Sequence, residues 1–244
     1  MAKRKSKKKG TQARNQKRAV QVKSNKPIII VGIVVLVFVL MVIGIVMVIT
    51  SPKPSDKNNP TATAGPTVDP VVYGTAEPNT QKVKVEFVMA DGGKMDFDLY
   101  PKYAPKTVEN FVKLANEKFY DGLKFHRIMK TFMVQGGDGT NDPSKPKIQS
   151  IFGEFPANGF IQNTLGHVYG AIAMAKTPDP NSATSQFYIV SGDAKGLNGR
   201  YAVFGQMTSG KATLDKIASW PVDPSGEGST PIGDVVIKSV RVIG

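Results

Sequence analysis

Phe125-His126-Arg127-Ile128-Met129-Lys130-Thr131-Phe132-Met133-Val134-Gln135-Gly136-Gly137-Asp138 is the stretch on which the reading of this chain turns. Two short apolar runs flank Lys130-Thr131, and Arg127 stands among aromatic and aliphatic neighbours. A guanidinium carries five donors and does not deprotonate in proteins. Two readings are open from the run alone. The arginine can sit at a strand end with its head in water and its stem on apolar surface, or it can aim donors into an apolar groove. Side chains alternate along a strand, so His126 and Arg127 should point to opposite faces. If Arg127 faces a groove, His126 faces the interior as a structural histidine rather than a catalytic base.

Working outward, the flanking sequence reads as short strands with few helices. Lys82 to Val88 alternates with period two, Asp91-Gly92 gives a hairpin signal, and Lys94 to Tyr100 alternates again. A helix follows: Pro105 suits its first turn, and Val108, Phe111, Val112, Leu114 and Ala115 recur at helical spacing. Short apolar stretches then occur at 125–129, 132–135, 170–175, 186–190 and 201–206, with a second helix at about 210–219 and a last alternating strand from Asp234 to Ile243. Many short strands suggest a closed barrel or a sandwich. Region 138–165 has no period and several Gly and Pro, and reads as surface loop. His167, between Gly166 and Val168, reads as a turn residue.

The N-terminal part has a different character. The net charge is +13, yet residues 1–26 hold 11 of the 32 Lys and Arg and no acidic residue, leaving 21 basic against 19 acidic residues beyond them. The excess is therefore a basic, core-less tail, residues 1–27, and no nucleic-acid partner is expected. Ile28 to Ile49 is an apolar run broken only by Gly32 and Gly44. At about 1.5 Å per residue it is long enough for a bilayer core. Positive charge before it places the N-terminus in the cytoplasm and the rest outside. The competing reading, a cleaved signal peptide, lacks an Ala-x-Ala pattern after the run, where Met47-Val48-Ile49-Thr50-Ser51-Pro52 stands. The expectation is an uncleaved single-pass membrane anchor at 28–49. Residues 50–80 are rich in Pro and Thr and read as a linker, with a folded domain over 81–244.

The chemistry available to this domain is narrow. With no cysteine, disulfides, thiolate nucleophiles and thiolate metal sites are excluded, and a lipid anchor on a lipobox cysteine with them. Two histidines do not make a histidine-rich metal cage. There is no Gly-x-Ser-x-Gly elbow, and Gly136-Gly137-Asp138-Gly139 lacks the ending of a phosphate loop. No metal and no cofactor are expected. An enzyme built from these residues would act by binding and polarisation.

Further motifs join the first: Ala173-Met174-Ala175, Ser185-Gln186-Phe187-Tyr188-Ile189, and Leu197-Asn198-Gly199 followed by Val203-Phe204-Gly205. Together with Phe125-His126-Arg127 and Phe132 to Asp138, in this order, they make residues 81–244 resemble the cyclophilins, peptidyl-prolyl cis–trans isomerases that bind cyclosporin. The resemblance implies a mainly β fold, a closed eight-stranded antiparallel barrel capped by two helices, with the substrate groove on its outer face. It implies Arg127 as the catalytic arginine, and Phe132, Met133, Tyr188 and Leu197 as a proline pocket. By the same resemblance Gln135 and Gln186 hold the peptide backbone, and Ala175 and Lys176 form the groove rim. Three positions depart from the family. Tyr188 stands where Phe is frequent, Tyr201 where many members have a pocket histidine, and Gly196 where cyclosporin-sensitive members have tryptophan. Weak or no cyclosporin binding is the expectation. The functional expectation is a membrane-tethered isomerase acting on proline-containing polypeptides outside the cytoplasm. The alternative is a tethered module that binds Pro-containing peptides with little turnover.

Overall fold

The computed structural model describes residues 71–243. The basic tail, the apolar span 28–49 and the linker up to residue 70 lie outside the described residues. Among the described residues no helix is long and apolar enough to cross a membrane.

The alternating segments form the strands expected of them. β1 (Val83–Met89) and β2 (Lys94–Leu99) pair antiparallel from Val83–Leu99 to Val88–Lys94. Val85, Phe87 and Met89 are buried from one strand, Met95, Phe97 and Leu99 from the other. The turn between them needs Gly92, whose φ is 88°. β3 (Phe125–Met129), β4 (Met133–Gly136), β5 (Ala171–Met174), β6 (Phe187–Val190), β7 (Val203–Ser209) and β10 (Ile237–Val242) complete one eight-stranded antiparallel sheet. Its order is β10-β1-β2-β7-β5-β6-β4-β3, while β8 (Val222–Asp223) and β9 (Thr230–Pro231) form a separate two-stranded ribbon.

The expected closed barrel is corrected to a curled, open sheet with β3 and β10 at its two ends. The ends meet at one bridge, Lys124–Val236, flanked by hydrogen bonds from Phe125 N–H to Val235 O and from Ile237 N–H to Leu123 O. They fail to zip further because the ribbon occupies the rest of the β3 edge: Ile128 N–H donates to Ser229 O at 2.7 Å.

Two helices cover the curl. α1 (Pro105–Asn116) buries Thr107, Val108, Phe111, Leu114 and Ala115, one stripe at helical spacing. Phe111 packs against Tyr120 and Phe204 with ring centroids at 4.9 and 5.1 Å, inside an aromatic core that includes Phe87, Phe97 and Phe187. α2 (Lys211–Ala218) buries Leu214 and Ile217. The orphan donors at the start of α1 are met from far along the chain. Glu154 Oε1 accepts from Lys106 N–H at 2.9 Å, and Oε2 accepts from both the N–H and the hydroxyl of Thr107 at 2.8 Å. A carboxylate there also suits the positive end of the helix. Glu154 is 1% exposed. Region 138–165 is therefore not simply surface loop. Asn163 Nδ2 holds its backbone down by donating to Glu154 O and Val203 O at 2.8 and 2.9 Å.

Strands β5 and β6 are buried along their whole length because both faces of the sheet are covered there. Phe125, Ile128, Val134, Ile172, Phe187 and Ile189 point into the core. Met133, Ala171, Ala173, Tyr188, Val190 and Val203 form a second apolar cluster on the outer face. Part of the stretch read as linker is pinned beside that cluster. Gly74 bridges to Leu165, donating to Thr164 O at 3.1 Å and accepting from Gly166 N–H at 2.8 Å. Glu77 N–H donates to the Tyr103 hydroxyl and its carboxylate pairs with Lys102.

Candidate active site

The strand register lays one row of residues across the outer face. Arg127 on β3 stands opposite Gln135 on β4, Gln135 opposite Tyr188 on β6, and Tyr188 opposite Ala173 on β5. Alternation along β3 is broken by a bulge between Phe125 and Arg127. The bulge lets Phe125 and Ile128 both enter the core while Arg127 turns outward. His126 is the extra residue: it is partly exposed, and the interior positions expected for it are taken by Phe125 and Ile128. Burial of its ring still draws its pKa below the usual value.

Next to the arginine, Gln135 Nε2 donates to Gln186 Oε1 at 2.9 Å, so the two glutamines fix one another. Phe132 and Met133 follow a tight turn in which Thr131 has φ 59°. That turn docks on residues 191–193: Ser191 N–H donates to Phe132 O and Asp193 N–H to Thr131 O, at 3.0 and 3.1 Å. The Phe132 backbone is thereby held against the outer-face cluster, which also takes in Ala175, Leu197 and Tyr201. Tyr188 and Tyr201 meet edge to face at 5.8 Å. At the rim, Lys176 Nζ lies 4.8 Å from the centre of the Tyr201 ring and 5.4 Å from that of Phe155. Burial of the ammonium lowers its pKa. Gly196 is exposed, with open space where a side chain would start.

His167 is not a turn residue on the surface. It is 2% exposed and lies against Tyr188. Asn198 Oδ1 accepts from its backbone N–H at 2.8 Å and from its Nδ1 at 3.0 Å. Nε2 therefore accepts from the Tyr188 hydroxyl, 2.8 Å away, and the two rings stack at 13°. Burial opposes the imidazolium and pushes the pKa down to about 4, against a smaller upward pull from Asn198. Burial likewise raises the Tyr188 phenol well above its ordinary value. Both groups are neutral over the physiological range.

Arg127 also has a partner that the sequence did not announce. Glu227 Oε2 accepts from its Nε at 3.2 Å and forms an ion pair with it, 3.2 Å from Nη2. Tyr188 needs a partner for its buried hydroxyl, but nothing around His167 in the sequence marks it as that partner. For Glu227 there was no signal either: it lies 100 residues from the arginine. The arrangement offers fixed donors beside an apolar cluster. Among the described residues no cluster of His, Asp or Glu could hold a metal ion.

Comparison with known proteins bears on the family. Residues 84–242 match the family model described as cyclophilin type peptidyl-prolyl cis-trans isomerase/CLD. A Staphylococcus aureus (strain USA300) protein named for peptidyl-prolyl cis-trans isomerase is 35% identical over 199 residues, covering 70% of this chain and 98% of its own. A Staphylococcus haemolyticus (strain JCSC1435) protein of the same name is 36% identical over 178 residues, covering 62% of this chain and 86% of its own. The crystal structure of a Cryptosporidium parvum cyclophilin type isomerase superposes with a TM-score of 0.58 at 27% identity, over 67% of this chain and 99% of that one. The same protein in the presence of the dipeptide Ala-Pro gives 0.57 at 28%, with the same coverage. With its family model spanning the whole sheet, the chain belongs to the cyclophilin-type peptidyl-prolyl cis–trans isomerases.

Proposed function

We propose that this domain accelerates X-Pro isomerisation in secreted or surface polypeptides by polarising the prolyl nitrogen with Arg127. The observation that carries the reading is the row Arg127–Gln135–Tyr188, which sets a cation and an amide beside an apolar cluster on the outer face. Amide resonance puts a barrier of about 18–20 kcal/mol on rotation, so unaided X-Pro exchange takes about 10–100 s. In the twisted transition state resonance is lost and the prolyl nitrogen regains a lone pair. A donor at that nitrogen then stabilises the transition state more than the planar ground state, which is what speeds a reaction. Arg127 is this donor. Phe132, Met133, Tyr188, Leu197 and Tyr201 seat the ring and keep water from competing for the guanidinium. Gln135, held by Gln186, is placed to bind the peptide backbone, and Ala175 and Lys176 border the substrate beyond the pocket. No proton is transferred, so the buried, neutral His167 has no catalytic duty and serves to hold Tyr188. The open position at Gly196 supports weak cyclosporin binding.

The apolar span at 28–49 supports tethering to the cell membrane with the N-terminus cytoplasmic and the domain outside. The absence of cysteine fits a domain that stands without disulfides. The test is exchange of an X-Pro peptide by NMR with the full-length chain and with Arg127→Ala. The parent should accelerate exchange, and the variant should lose about a hundred- to thousand-fold in kcat/KM, the effect of 3–4 kcal/mol. Equal acceleration by both proteins overturns the arginine mechanism. No acceleration by the folded parent overturns the isomerase reading in favour of a module that only binds Pro-peptides.

A further inference from the structure

The β8–β9 ribbon ends in a tip, Gly226-Glu227-Gly228, that carries one functional group. Both glycines have positive φ, 61° and 62°, and neither has an atom within 4 Å of where a Cβ would stand. Such a tip presents Glu227 and nothing else. It is not loose at its base, since Ser229 O accepts from Ile128 N–H at 2.7 Å and so hooks the ribbon to the residue after Arg127. From there Glu227 reaches back, and its Oε2 accepts from Nε of Arg127 and lies 3.2 Å from Nη2, with Ser229 Oγ 3.5 Å from the same oxygen. The two side chains are only 23% and 35% exposed.

Isomerisation has no use for this carboxylate: no proton moves, and an anion on the guanidinium weakens its field at the prolyl nitrogen. Its effect falls instead on which substrates the arginine can engage. A guanidinium fork matches any carboxylate in two-pronged geometry. An Asp or Glu flanking the proline of a substrate could dock on that fork and hold it away from the nitrogen. In this protein the Nε–Nη2 edge is already taken by an internal carboxylate, which also repels a second one. We propose that Glu227 is a specificity-determining residue that disfavours substrates with an acidic residue beside the proline and favours those with a basic one. Lys176, at the rim against Tyr201, attracts acidic substrates to an extent common to parent and variant, so it cancels from their comparison.

The inference rests on the isomerase reading above. The experiment uses the full-length chain and Glu227→Gln with three peptides that differ only in the residue after proline: Lys, Gln or Glu. The readout is the ratio of kcat/KM for the Lys peptide to that for the Glu peptide, taken in each protein. It should fall by about fivefold in the variant, the effect of one partly exposed charge pair. An unchanged ratio overturns the proposal, including the case in which all three peptides lose activity together and Glu227 merely positions Arg127. If the parent does not turn over even the Gln peptide, the isomerase reading fails on its own. The Lys-to-Glu ratio is then read from dissociation constants for the same peptides, with the same expected shift and the same overturning result.

Discussion

Tyr188 and His167 show how a single hydroxyl sets its surroundings. The phenol is buried and its only hydrogen-bond partner among the described residues is His167 Nε2. Replacing Tyr188 by Phe keeps the ring in the outer-face cluster but leaves a buried imidazole nitrogen without its donor. The expected result is a loss of about 1–3 kcal/mol in stability with kcat/KM changed far less, checked by urea unfolding beside peptide exchange. A large activity loss at unchanged stability would mean that the hydroxyl itself touches substrate. At this scale the row of candidate residues was largely legible. Arg127 and Gln135 stood out because polar groups in apolar runs need a reason, and the register does set them opposite one another. His126 and His167 were misplaced for two different reasons. A bulge breaks the alternation from which the facing of His126 was argued. The burial of His167 depends on Asn198, 31 residues away, and no local pattern records that.

Among the elements, α1 depends most on a distant residue. Its stripe of apolar residues was plain in the sequence, but its N-terminal anchor, Glu154, sits in a region without periodicity. Truncating Glu154 to Ala would strand three donors, two of them on Thr107, which is fully buried. The expected cost is about 2–4 kcal/mol, read as a lower urea midpoint with an unchanged slope. A cost below about 0.5 kcal/mol would show that water replaces the carboxylate there. The alternating strands β1 and β2 were readable because one face of each meets the core. Strands β5 and β6 gave only short apolar runs, since both of their faces are covered. The two-residue strands β8 and β9 left no pattern at all, although their ribbon delivers Glu227 to the arginine.

For the molecule as a whole, acid is the revealing perturbation. His167 is held neutral in the folded state with its pKa near 4, while an unfolded chain titrates it near 6.5. Between those values the unfolded state binds the extra proton, so stability rises with pH. Its contribution is complete above about pH 6.5 and is lost as pH falls toward 4, about 3 kcal/mol in all. His126, also lowered by burial, acts in the same direction. Unfolding free energies measured from pH 4 to 7 should show this slope, and His167→Gln should flatten it. A slope unaltered by the substitution would place the proton elsewhere. The sheet closure was the least legible feature at this scale. Strand count and shortness suggested a barrel, but whether the last strand meets the third depends on what else competes for that edge, and here β9 does.

The strap at residues 73–77 bears on how this domain responds to a pull. It lies N-terminal to the β1 strand, and its backbone attachments are Gly74 to Thr164 and Gly166, and Glu77 to Tyr103. Tension applied from the N-terminal side reaches these few contacts before it reaches the β1 ladder, which is bonded on both edges to β2 and β10. Under such a pull the strap acts as a mechanical fuse: it peels first, and the eight-stranded sheet remains unloaded until the freed length is taken up.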